Sequence, residues 1–290
     1  MPAVVRPARP PCVFLGVALT LLGVLVVVGG CIWPPTHDPG KAELLRQIRE
    51  AYLFDVDVAG LELLSVPEIV ARLDPDTHLV EVRRRTSPDF IRGFEPEGSV
   101  VAVRALGGGR GYLRLAFFGR RTLQDLRKAL SDFLSPLCAL TIDLRDNAGG
   151  NFDQALRLAE LFLPPGAPLA LYEGREGRAL LYATGTAAPR QERLTLLINA
   201  RTASSAELFA GVLRWHHRAE LVGAPTTGKR TVQQVVRLDQ SYLLFLTTGR
   251  FLAPDGSPFG IHGLTPDRAY EGDDVTSLMT PCADTTPPEP

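Results

Sequence analysis

Two residues of this chain are of the types that together hydrolyse an acyl bond. Ser204 lies in Arg201-Thr202-Ala203-Ser204-Ser205-Ala206-Glu207. Lys229 follows in Gly223-Ala224-Pro225-Thr226-Thr227-Gly228-Lys229. A serine hydroxyl becomes a nucleophile when a base removes its proton, and a neutral lysine amine can be that base. Gln233 stands four residues after Lys229. Strand residues two or four apart share a face, so the Gln233 amide can meet the Lys229 amine. A third segment, Asp143-Leu144-Arg145-Asp146-Asn147-Ala148-Gly149-Gly150, sets two glycines between a strand and a helix. Such a turn points backbone N–H groups outward, as an oxyanion hole requires. Taken singly, each feature has a plain structural reading. Ser204 is then a helix N-cap, Lys229 a surface cation, the glycine pair a turn, and Asp143 with Arg145 an ion pair. The chemistry rests on their combination.

The elements around these residues suit the task. Leu194 to Asn199 reads as a strand running into the serine, and Ala206 to Trp215 as the helix after it. Thr231 to Leu238 and Tyr242 to Thr248 read as a hairpin that begins beside Lys229. Upstream, Ser99–Ala105 and Gly111–Phe117 read as strands around Gly107-Gly108-Gly109. Thr122 to Leu134 is a helix with Thr122 near its N-cap and Leu123, Leu126, Leu130 and Phe133 on one face. Leu137–Leu144 is a strand and Gln154–Phe162 a helix; Leu169–Tyr172, Leu180–Thr184 and Ala219–Val222 are further strands. Strands alternating with helices imply an α/β domain. Before it, residues 41–80 have the spacing of a small helical region: Leu44, Leu45, Ile48 and Tyr52 recur at helical period, and Val66-Pro67-Glu68 opens a second helix.

Net charge is −1 and no long run of one sign occurs, which is not the footprint of a nucleic-acid binder. At the N-terminus, Arg6 and Arg9 precede an apolar stretch from Val13 to Gly30, ending in Val28-Gly29-Gly30-Cys31. This is the form of a lipoprotein signal, with Cys31 as the lipidated residue; an uncleaved transmembrane anchor is the other reading. Either places the rest of the chain outside the cytoplasm. Cys138 and Cys282 remain for the mature protein. They are free to pair in an oxidising compartment, although Cys138 also fits a buried thiol in an apolar strand. No Cys/His spacing resembles a zinc site, and the adjacent His216-His217 reads as a helix end. The domain boundaries that follow are 1–31 for the signal or anchor, 32–40 for a linker, and 41–98 for the helical region with its charged connecting segment. The core spans 99–271, and 272–290 is a proline-rich tail expected to be disordered.

The three segments at 143–150, 202–207 and 228–233 resemble, in order, those of the C-terminal processing peptidases, which use a serine-lysine pair. Leu73-Asp74-Pro75-Asp76-Thr77 resembles the family's Leu-Asp-Pro-His-Ser element, and Gly111 to Leu115 its opening core strand. Pro254-Asp255-Gly256, Gly263-Leu264 and Pro266-Asp267 resemble its closing segment. The likeness covers roughly 41–270. It implies a crotonase/ClpP-like α/β core of mixed sheets and helices behind a small helical region. It further implies Ser204 as nucleophile, Lys229 as general base, Gln233 as the residue orienting that lysine, and Gly149 with the Ser205 N–H as oxyanion donors. No cofactor is called for. Substrates would be unfolded polypeptides or polypeptide C-termini, met on the periplasmic side of a bacterial cell envelope. The rival readings are a silent binding or scaffold protein that keeps the fold, and a crotonase-type acyl-CoA enzyme, which needs no Ser-Lys pair.

Three departures stand out. Ser205-Ala206 replaces the usual Ala-Ser order, Ala148 replaces a common proline, and Arg230 a common glycine. Only residues 78–98 separate Thr77 from the core, where the family carries a PDZ domain of roughly 80–90 residues. Substrate capture by strand addition to such a domain is then not expected; it falls to the core, to 81–98 or to an activating adaptor. A free lysine titrates near 10.4, so a base working at neutral pH must be brought down by about 3 pH units, or about 4 kcal/mol. Burial and the lack of a nearby carboxylate are expected to do this, Asp239 being the next acid along the chain.

Overall fold

The computed structural model describes residues 39–81, 99–133, 136–239, 242–272, 274–278 and 282. The apolar stretch before Cys31, Cys31 itself and the segment 82–98 lie outside the described residues. Among the described residues, no helix is long and apolar enough to cross a membrane.

Two sheets organise the chain. The first takes β2 (Val100–Ala105), β3 (Arg110–Leu115), β4 (Ala139–Asp143), β7 (Arg193–Ile198), β8 (Ala219–Gly223) and β11 (Arg268–Ala269), in the order β11-β8-β7-β4-β3-β2. From β3 through β4, β7 and β8 to β11 every pairing is parallel; β2 joins antiparallel at the edge. A parallel strand flanked on both sides and covered on both faces is apolar throughout. In β4 all five residues are buried, including Thr141 and Asp143. The covering helices are α4 (Thr122–Ser131), α5 (Phe152–Ala159) and α6 (Ser205–Trp215). Helix α4 buries Leu126, Ala129 and Leu130 on one stripe, as an amphipathic surface helix should. Arg121, rather than Thr122, occupies its N-cap. Helix α6 is buried along its whole length from Ser205 to Leu213, which makes it the central helix of the main core.

The second sheet has β10 (Tyr242–Leu252) at its heart. It pairs antiparallel with β9 (Thr231–Arg237), β1 (His78–Glu81) and β5 (Pro168–Gly174), and β5 pairs with β6 (Gly177–Tyr182). Strand β1 takes Tyr242–Phe245 and β5 takes Gly249–Leu252, so two short strands share one edge of a long one. Onto this sheet packs the N-terminal region: α1 (Pro39–Ala51), α2 (Val58–Leu61) and α3 (Val66–Val70). Leu44, Ile48, Tyr52 and Ile69 share one buried cluster with Val236, Leu244 and Leu246 of β9 and β10. Ser65 precedes α3, and its backbone N–H donates to Glu68 at 2.8 Å, fixing the helix start.

Part of the expected tail is ordered. Val275–Leu278 form a 3-10 turn whose Val275 and Leu278 bury against Tyr112, Leu197 and Val222. Beyond it Cys282 is bonded to Cys138, with Cα atoms 6.1 Å apart. Cys138 is therefore a half-exposed disulfide partner and not a free buried thiol.

Candidate active site

Three adjacent parallel strands, β4, β7 and β8, end in three loops, and these loops carry the three motifs. Sites in such sheets form at the carboxyl ends of the strands, where successive loops converge. The sequence order of the motifs thus becomes spatial adjacency through the strand order β8-β7-β4.

The loop after β4 is fixed from within. Asp143 is fully buried and accepts the Arg145 guanidinium at 2.9 Å (Nε to Oδ1) and 2.7 Å (Nη2 to Oδ2), with the Tyr112 hydroxyl donating at 2.9 Å. Asp146 adopts φ +67 and accepts from Asn199 Nδ2 at 2.7 Å and Arg201 Nε at 2.8 Å. The Asn199 hydrogen bond, with Arg201 adding to it, holds the Asp146 carboxyl below the usual carboxylate range. Buried Asn147 donates to Leu115 O at 2.8 Å, and its backbone carbonyl accepts from Ala203 N at 2.9 Å. This ties the glycine turn to the serine segment. The Gly149 N–H donates to Asn147 Oδ1 at 2.9 Å, so in this conformation it is engaged. Gly149 takes φ +99, and a Cβ there would lie 2.9 Å from Ser204 Cβ and 2.8 Å from Ala203 O. Glycine is required because the two loops touch.

Ser204 sits at the junction of the β7 loop and α6 with φ +55 and ψ −121, a conformation non-glycine residues rarely adopt. Strain of this kind persists where surrounding contacts over-determine it. Here the main contact is with Glu207, 4% exposed, whose carboxylate accepts four hydrogen bonds. Ser204 N and Lys229 N each donate to Oε2 at 2.9 Å; Gly228 N donates to Oε1 at 2.6 Å and Thr226 Oγ1 at 2.5 Å. One buried carboxylate therefore joins the backbone of Ser204 to that of Lys229. The sequence signal for it was the Ser-x-x-Glu spacing of a capping box at 204–207. The closing segment supports the same loop, with Leu264 N donating to Thr226 Oγ1 at 2.7 Å.

Lys229 lies where the chain crosses from β8 to β9. Its Nζ donates to Gln233 Oε1 at 2.8 Å. Among the described residues no hydrogen bond joins Ser204 Oγ to Lys229 Nζ. The expectation of a lysine away from carboxylates is corrected: Asp76 Oδ1 is 3.9 Å from Nζ, and the Lys229 side chain is 28% exposed. Asp76 comes from the turn before β1, far off in sequence and close in space because β1 and β9 both pair with β10. Its Oδ2 accepts from Thr231 Oγ1 at 2.6 Å, and its carbonyl accepts from Gln233 Nε2. The residues 74–77 are thus part of the site's geometry, which the sequence reading did not foresee.

Comparison with known proteins agrees with this architecture. The profile of Peptidase family S41 matches residues 109–270. The carboxy-terminal-processing protease of Bartonella bacilliformis is 33% identical over 183 residues, 58% of this chain and 42% of that protein. The chloroplastic carboxyl-terminal-processing peptidase 2 of Arabidopsis thaliana is 30% identical over 208 residues, 70% of this chain and 40% of that one. The chain spans about two-fifths of the length of these relatives. A lipoprotein structure from Streptococcus agalactiae shares the fold with a TM-score of 0.62 at 17% identity, covering 84% of this chain and 95% of the other. The profile takes in β3 through β11 and all three loops of the site, and on this ground the chain belongs to peptidase family S41.

Proposed function

We propose that this protein is a serine-type endopeptidase that cleaves polypeptides through an acyl-enzyme. Ser204 attacks the scissile carbonyl while Lys229 takes its proton; the lysine then gives that proton to the leaving amine. Water resolves the ester, with Lys229 again the base. Gln233 orients the lysine. The Ser205 N–H, in the first turn of α6, has no intrahelical partner and faces the forming oxyanion. Gly149 joins it once its N–H leaves Asn147. The observation that carries this reading is the Glu207 carboxylate, which couples the strained Ser204 turn to the Lys229 turn. Family membership supports a peptidase, and unfolded chains or polypeptide C-termini are the proposed substrates, with an adaptor as the proposed partner in their capture. The signal-like N-terminus supports attachment to a bacterial envelope through Cys31 or an uncleaved anchor, and the Cys138–Cys282 bond suits an oxidising compartment.

The test is cleavage of an unfolded protein with an apolar C-terminus by the full chain in detergent, followed by mass spectrometry. Ser204→Ala and Lys229→Ala should each lower kcat by at least about 10³-fold. A parent protein that is folded by circular dichroism yet cleaves nothing supports the silent scaffold instead.

A further inference from the structure

We propose that Asp76 is a further positioning residue of this site, whose carboxylate holds the Lys229 amine and opposes its action as a base on Ser204. The inference rests on the peptidase reading and adds a control that the Ser-Lys pair alone lacks.

Only the neutral amine can take the Ser204 proton, and a carboxylate nearby favours the ammonium form. Asp76 is not a surface acid that happens to drift close. One carboxylate oxygen is anchored by Thr231 Oγ1, and the main-chain carbonyl by the Gln233 amide, so both anchors sit on β9 close after the lysine. The turn itself is locked from the other side. Asp74 accepts from Asp76 N at 3.0 Å, Thr77 Oγ1 at 2.5 Å and Thr247 Oγ1 at 2.9 Å, and Asp74 N donates to the Tyr52 hydroxyl at 2.8 Å. Gln233 thus holds the amine with one end of its amide and Asp76 with the other. The remaining charged or titratable neighbours are placed differently. Glu207 is occupied with backbone N–H groups, including that of Lys229; Arg230 is next in the chain; and His78 Nδ1 lies 2.7 Å from the Asp76 carbonyl. Asp76 is the group whose free oxygen faces the amine.

The chain offers an unusually clean assay, because it contains three lysines, Lys41, Lys128 and Lys229. Reductive ¹³C-methylation of the full chain gives three lysine signals, assigned with Lys41→Arg and Lys128→Arg. Asp76→Asn keeps the backbone carbonyl and an oxygen for Thr231 while removing the charge; Asp76→Glu restores the charge. In Asp76→Asn the Lys229 signal should titrate at lower pH than in the parent, with Lys41 and Lys128 unmoved. Ser204-dependent kcat at pH 7 should rise roughly threefold with KM unchanged, the exposure of both partners limiting the effect. Asp76→Glu should return both readouts towards the parent. An unmoved Lys229 titration in a folded Asp76→Asn protein overturns the inference, as does a loss of kcat at every pH. If no protein cleaves, the peptidase reading falls while the titration still decides the role of Asp76. If the parent cleaves and the titration stays put, only the role of Asp76 falls.

Discussion

Glu207 shows how one side chain can tie the Ser204 loop to the Lys229 loop. A carboxylate has four acceptor sites, and here each of four donors finds one. Glu207→Gln replaces one acceptor oxygen by a donor that must face N–H groups. It should destabilise the fold by about 2–3 kcal/mol in urea unfolding, through buried donors left unpaired. It should also lower kcat at least tenfold with little change in KM. The proximity of Lys229 to Gln233 was legible because the two lie four apart on one short strand-bound segment. Asp76 was not. Its segment, Leu73-Asp74-Pro75-Asp76-Thr77, reads only as resembling the Leu-Asp-Pro-His-Ser element, and nothing within it points to a lysine on another strand. Nor does the sequence show that Gly149 N–H turns back to Asn147, which depends on how two loops abut.

At the level of elements, the N-terminal helices do more than precede the core. Tyr52 at the end of α1 is buried with its hydroxyl on Asp74 N, so the helix sets the turn that carries Asp76. Burial, ahead of the neighbouring Asp74, pushes the Tyr52 phenol up to about 12. Tyrosine ordinarily titrates near 10. The folded state therefore holds this proton more tightly than the unfolded chain does, and stability is lost as pH rises from about 10 through 12. Chemical unfolding across that window should show the decline, and Tyr52→Phe should make it shallower. At pH 7 the same variant should lose about 1 kcal/mol with its hydrogen bond. The helices were visible in the spacing of Leu44, Ile48 and Tyr52, yet their docking on β9 and β10 was not, since periodicity names a buried face and not its partner. Strand β1 escaped notice for a related reason. Four residues with exposed ends make a weak pattern, and their extended form comes from pairing with Tyr242–Phe245.

For the whole molecule, the disulfide closes a loop between residues separated by 144 positions and pins the last described residue to the start of β4. Cys282→Ser, or reduction of the parent, should lower stability by about 2–4 kcal/mol, read as a fall in Tm. Ser204-dependent activity at a temperature well below the transition should be unchanged, because the bond lies at the opening end of β4 and the site at its far end. The α/β class and the order of strands and helices in the core were legible from alternating patterns. The division into two sheets was not, because β5, β6, β9 and β10 are interleaved in sequence with strands of the other sheet.

The contacts of Asp76 with Thr231 and Gln233 span 155 and 157 residues. A growing polypeptide presents the 74–77 turn long before it presents Ser204 or Lys229. Until the later strand has been made and has settled beside the earlier one, the lysine has neither its amide partner in place nor its carboxylate neighbour. The contacts around Lys229 therefore form only after β9 has been made, and a chain that stops short of Gln233 lacks them.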